Sequence, residues 1–160
     1  MSSQSFVVYE EQIDQINAAM LRMIKKAEAK CALLVDKDGH LITRQGFTQT
    51  LDTTALAALL AGSFASTKEI ARLVGEPEFS VLFHQGQKDH IHISLVAERC
   101  ILAVIFDDRT TIGMVRLYAK ESGDRLKEII TESTMHGDAP SLDPEFSRSA
   151  ETRIDNMFKE

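Results

Sequence analysis

The sequence predicts an α/β domain of order αββαβββα. One antiparallel five-stranded sheet runs in the order 2-1-5-4-3 with helices on both faces, and a short tail helix follows at the C-terminus. Three observations carry this. Segments with a 3.6-residue apolar period flank and interrupt short apolar runs. Turns of a few residues join those runs in pairs. The runs beginning at Cys31 and at Cys100 are apolar at nearly every position, so both faces of each must be covered and both belong in the middle of the sheet.

The first helix is expected from about Tyr9 to Ala29, because Ile13, Ile16, Met20, Met23, Ile24 and Ala27 recur on one helical face. Glu10 and Glu11 at its start and Lys25, Lys26 and Lys30 at its end suit the helix dipole. Asp38-Gly39 then marks a hairpin between strands at 31–36 and 40–45. Asp52 is the expected N-cap of a long second helix, which Gly75 stops after Val74. Three short strands follow at 80–84, 89–96 and 100–106. In the middle one, Ile91, Ile93 and Leu95 alternate with His90, His92 and Ser94. A third helix is expected from Ile112 to Ser133, capped by Thr110 or Thr111, with Ile112, Val115, Ala119, Ser122, Leu126 and Ile129 inward. The domain is therefore placed at 1–135, with a flexible linker at 136–148 that contains Gly137, Pro140 and Pro144.

With the doubly apolar strands central, strands 2 and 3 become the edges. Strand 2 carries His40 and Arg44, which guard it against pairing with other chains. Strand 3, Ser80-Val81-Leu82-Phe83-His84, has no formal charge and invites such pairing. A homodimer through this strand is expected, with Val81 and Phe83 at the interface.

Charge and composition exclude several functions. The 160 residues carry 18 basic and 24 acidic side chains, a net charge of −6, which is not the footprint of a nucleic-acid binder. There is no apolar run of about 18 residues and no signal-like N-terminus, so neither a membrane span nor export is expected. Cys31 and Cys100 lie inside apolar runs, which fits inert thiols in a reducing cytoplasm. His84, His90 and His92 could gather zinc only with a further ligand at the right spacing, and the chain offers none. There is no phosphate-binding loop of the Gly-Lys-Ser/Thr type. Arg109 could act as an arginine finger in trans, but Asp107 and Asp108 beside it are its expected partners. No catalytic side chain, cofactor or metal is expected.

Two features point instead to protein contacts. On the second helix, Leu56, Leu59, Leu60, Ser63, Phe64, Thr67, Ile70 and Val74 read as the core face. The opposite face reads Ala58, Ala61, Gly62 and Ala65, then Glu69 and Arg72. Small residues leave a smooth surface that another backbone can approach, and glycine inside a helix costs stability. In the tail at 149–160, Ile154, Met157 and Phe158 form an apolar stripe too short to be a stable helix alone, which suits docking in a partner's groove or folding back onto its own domain.

The element order resembles the roadblock (dynein light chain) family of small dimeric domains. The likeness extends to Tyr9-Glu10-Glu11, Leu34-Val35-Asp36-Lys37 with Gly39, Thr48-Gln49 with Asp52-Thr53-Thr54, and Leu73-Val74-Gly75-Glu76. It continues in Val104-Ile105-Phe106-Asp107 and in the ending Ile154-Asp155-Asn156-Met157-Phe158. The chain departs from the family in carrying Lys68 and Glu69 where relatives keep small residues. The resemblance implies a GTPase-activating homodimer that acts on an MglA-like, Ras-like bacterial GTPase in polarity and motility control. It implies one continuous ten-stranded sheet and second helices of both protomers meeting one GTPase. The GTPase's own residues would do the chemistry, and the tail helix would favour nucleotide exchange. A roadblock scaffold that bridges proteins without stimulating hydrolysis is the alternative.

Overall fold

Eight elements follow in the expected order: α1 (Glu10–Ala27), β1 (Cys31–Asp36), β2 (Leu41–Gly46), α2 (Thr53–Val74), β3 (Val81–Gln85), β4 (His90–Val96), β5 (Cys100–Phe106) and α3 (Ile112–Gly137). The computed structural model describes residues 10–137. The linker beyond Gly137 and the tail with Ile154, Met157 and Phe158 lie outside the described residues. The third helix runs four residues past the expected end at Ser133.

The sheet is antiparallel throughout, in the order β2-β1-β5-β4-β3. The central pair explains why. Along β1 and β5 successive side chains enter two different cores. Ala32, Leu34, Leu102, Val104 and Phe106 face α1 and α3, together with Met20, Leu126 and Ile129. Cys31, Leu33, Val35, Ile101, Ala103 and Ile105 face α2, together with Ala57 and Leu60. Strands with two apolar faces can only sit where both are covered.

Local chemistry sets the joints. Asp36 Oδ1 accepts the backbone N–H of Asp38 and of His40, each at 2.9 Å, and closes the β1–β2 turn. At the β4–β5 turn Ala97 and Glu98 both take left-handed backbone, φ +55° and +58°. Successive positive φ values match the right-handed twist of the flanking strands, although neither residue signals the turn in the sequence. Thr111 is the cap of α3, its Oγ1 accepting the Met114 N–H at 3.2 Å.

Candidate protein–protein interface

The α2 helix is held firmly at both ends. Asp52 Oδ1 accepts the Ala55 N–H at 3.0 Å. At Gly75, φ +82°, the chain turns left-handed and the Glu76 N–H donates to the Ala71 carbonyl at 2.9 Å.

Between these caps the helix is turned away from the expected orientation. Its buried line is Thr53, Ala57, Leu60, Ala61, Thr67 and Ala71. Leu60 and Thr67 are core residues as expected, and Leu56, Ser63 and Phe64 are half-buried. Leu59, Ile70 and Val74 are not core: they face solvent together with Leu73. Ala61, expected on the outer face, is buried.

The cause is close approach. Ala57 is fully buried, small and packed in the cluster with the central strands, so the helix can lie near the sheet there. The hairpin turn then presses on the flank: a Cβ on Gly39, φ +94°, would stand 3.1 Å from Ala58 Cα and 3.7 Å from the Cβ of Ala58 and of Ala61. Ala58 and Ala61 are thus small for a reason internal to the chain.

That reason does not extend to Gly62. A Cβ there would meet nothing within 4 Å. Gly62 and Ala65 are exposed, and the fold itself makes no use of their small size. At 100° per residue, Ala58, Gly62 and Ala65 form one outward strip and Leu59, Ile70 and Leu73 the strip beside it. Glu69 and Arg72, both exposed, are joined by Arg72 Nη2 donating to Glu69 Oε1 at 2.7 Å.

The other candidate surface is the β3 edge. Its inner side pairs with β4, Leu82 opposite Ile93 and Phe83 opposite His92. No other described strand pairs with its outer side. Val81 is 41% and Phe83 37% exposed. The Phe83 ring also stacks on Phe106, centroids 6.0 Å apart, which stiffens the edge.

The histidines do not gather. His84 lies across from Ile91, on the sheet face opposite His90 and His92. Nor do His90 and His92 form a polar rim: both are buried. His90 Nδ1 accepts the Gly86 N–H at 3.2 Å, and its Nε2 lies 3.1 Å from Asp108 Oδ1. Among the described residues His92 has no hydrogen-bond partner at either ring nitrogen, and burial, with Arg116 nearby, lowers its pKa. Asp36, Asp38 and His40 are a set of metal-capable side chains within mutual reach, and their hydrogen bonds already serve the hairpin turn.

Arg109 is tied down. Its Nε donates to Asp107 Oδ1 at 3.0 Å, and its backbone N–H donates to the same oxygen at 3.1 Å. The guanidinium holds the Asp107 carboxyl below its ordinary pKa. Asp108, expected as a second partner of Arg109, pairs with His90 instead. Burial pushes the thiols up, Cys31 to about 11 and Cys100 to about 12, so neither is a nucleophile at neutral pH.

Comparison with known proteins agrees with this geometry. Residues 16–106 match the Roadblock/LC7 domain family. Myxococcus xanthus MglB is 47% identical, with 79% of this chain and 95% of that chain covered and a TM-score of 0.75. The gliding protein MglB of Thermus thermophilus is 26% identical, covering 82% and 99%, with a TM-score of 0.76. An MglB in a tetrameric arrangement is similar to the same degree. Among the described residues no helix is long and apolar enough to cross a membrane.

Proposed function

We propose that this chain, which belongs to the Roadblock/LC7 family, is a homodimeric activating regulator of an MglA-like small Ras-like GTPase, in the control of cell polarity or motility. The observation that carries the reading is the likeness to MglB across 95% of that protein. The geometry supports it: α2 exposes Gly62 and Ala65, whose small size its own fold leaves unused, and β3 offers an open edge. Two protomers joined edge to edge through Val81 and Phe83 bring two α2 helices to one side of a ten-stranded sheet. There Ala58, Gly62, Ala65, Glu69 and Arg72 contact the GTPase. Ala61 supports this face from beneath.

The chain supplies no reacting group. Stimulation comes from fixing the GTPase's own residues around the γ-phosphate, since positioning and preorganised charge account for most of phosphoryl-transfer catalysis. Ile154, Met157 and Phe158 in the tail make a second contact that favours nucleotide exchange, with the linker setting its effective concentration.

The decisive assay is single-turnover GTP hydrolysis by the cognate GTPase with and without the full-length protein. Stimulation is expected, and Ala65→Arg should abolish it with an unchanged circular dichroism spectrum. Full stimulation by that variant removes α2 from the contact. Binding without stimulation by the natural protein favours the scaffold reading. Val81→Lys should shift sedimentation from dimer toward monomer, and an unchanged mass excludes the β3 edge.

A further inference from the structure

A pocket of about 240 Å³ opens between α2 and the sheet, at the end that carries the β1–β2 turn. Phe64 and Lys68 line it from α2, Phe79 from the connection into β3, Leu95 and Ile101 from β4 and β5, and Lys37 from the turn. Phe64, Phe79 and Leu95 are only half-buried there. The volume lies below the range of whole small-molecule sites and suits one or two apolar side chains.

Position, length and charge say which side chains these are. α3 passes the same end of the sheet at Gly123, where an added Cβ would stand 3.9 Å from Val96 Cγ2, and continues to Gly137. Val96 and Asp36 both pair with Cys100 at that end, and Lys37 follows Asp36. Residues 138–153 lead from there to Ile154 and reach up to about 50 Å when extended. The stretch of α3 beyond Gly123 is only about 20 Å long, so the tail can return to the pocket. The side chains of Lys37 and Lys68 are exposed and make no hydrogen bond or ion pair among the described residues. They outnumber Glu78, the acid that also lines the pocket. Residues 138–160 are of the opposite sign, with Asp138, Asp143, Glu145, Glu151, Asp155 and Glu160 against Arg148, Arg153 and Lys159.

We propose that this pocket holds the protein's own C-terminal tail, with the apolar stripe of Ile154, Met157 and Phe158 against Phe64, Phe79, Leu95 and Ile101, and Glu151 and Asp155 towards Lys37 and Lys68. At helical spacing Glu151 and Asp155 flank the edge of the stripe formed by Ile154 and Phe158. A stripe too short to fold alone gains its helix from the surface it docks on. Ala65 also lines the pocket, so a docked tail covers part of the α2 face assigned to the GTPase. On that reading of the function, tail and GTPase exclude each other on α2: the tail is held there in the free protein and is released for its own GTPase contact when the complex forms.

The test uses the full-length protein without GTPase, so it reads docking independently of the proposed function. A nitroxide is attached at Ser149→Cys, while Cys31 and Cys100 are buried and stay unlabelled. Paramagnetic broadening of the Leu95 and Ile101 methyl signals is expected. The exposed Leu21 of α1 and Leu117 of α3 should stay sharp. Phe158→Asp should abolish the broadening, and Lys68→Glu should reduce it. Pocket methyls that stay sharp in the natural sequence overturn the proposal. So does broadening that persists in Phe158→Asp, or that spreads equally to Leu21 and Leu117, which would mark an undirected tail. Where docking is seen and a bound MglA-like GTPase does not relieve it, the mutual exclusion on α2 is overturned.

Discussion

The helices α3 and α2 cover opposite faces of the same sheet and dispose of their large apolar residues differently, although α3 too leaves Met114 and Leu117 exposed. On α3, Val115, Ala119, Leu126, Ile129 and Ile130 are all buried against α1 and the sheet. On α2, Leu59, Ile70, Leu73 and Val74 stay in water while alanines and threonines, with Leu60, take the inner line. Two helices, α1 and α3, share one face, whereas α2 covers the other alone and carries large apolar residues on the side turned away from the sheet. Exposed apolar surface gathered on one helix marks a contact with another molecule. The same difference separates residues that serve folding from those free to serve function.

The comparison can be broken most directly at Leu126, which is fully buried. Leu126→Ala should cost about 2–5 kcal/mol in urea unfolding, from lost burial and the cavity left behind. A loss under about 1 kcal/mol would mean that α3 is not the closed face.

His92 lies beneath α3 and sharpens the comparison through pH. Its folded pKa is lowered, while the unfolded chain takes up a proton near pH 6.5. The unfolded state therefore binds more protons below that pH. The stability is fully present above about 6.5 and falls as pH drops toward the folded value, by up to about 1.4 kcal/mol per pH unit. His92→Gln should flatten this part of the profile. An unchanged slope would assign the acid sensitivity to other groups.

Gly62→Ala tests the open face. Nothing stands within 4 Å of the new methyl group, so the variant should gain about 0.8–1 kcal/mol in stability. If α2 meets the GTPase there, the same variant should stimulate hydrolysis less. A more stable protein with full activity would leave Gly62 without a functional reason.

The smallest effect is expected at Leu73, which is 73% exposed. Leu73→Ala should change the stability of the free protein by no more than about 0.5 kcal/mol. A core-sized loss would show that the α2 surface is already covered in the free protein.

Much of this could be read from residues alone, and the reasons are local. Asp52 and Gly75 mark the ends of α2 because caps are chosen by backbone geometry within one turn. Asp38-Gly39 marks its hairpin for the same reason. Sheet order was legible because β1 and β5 advertise two buried faces. The candidate site was legible only in part. The small strip on α2 was visible, but Ala61 belongs to the core. His92, which reads as part of an alternating polar face, gave no sign of its burial.

Element order, sheet order and caps thus follow from the chain alone, since each depends on neighbours in sequence or on a strand's need for cover on both sides. The rotation of α2 does not. Its hydrophobic pattern admits more than one inward face, because large residues recur on both flanks. Only the fit of Ala57 against the sheet and the approach of Gly39 to Ala58 selects between them. Packing at van der Waals distance is set jointly by elements far apart in the chain. For that reason it took the folded arrangement to separate the small residues required by the fold from Gly62, which the fold does not use.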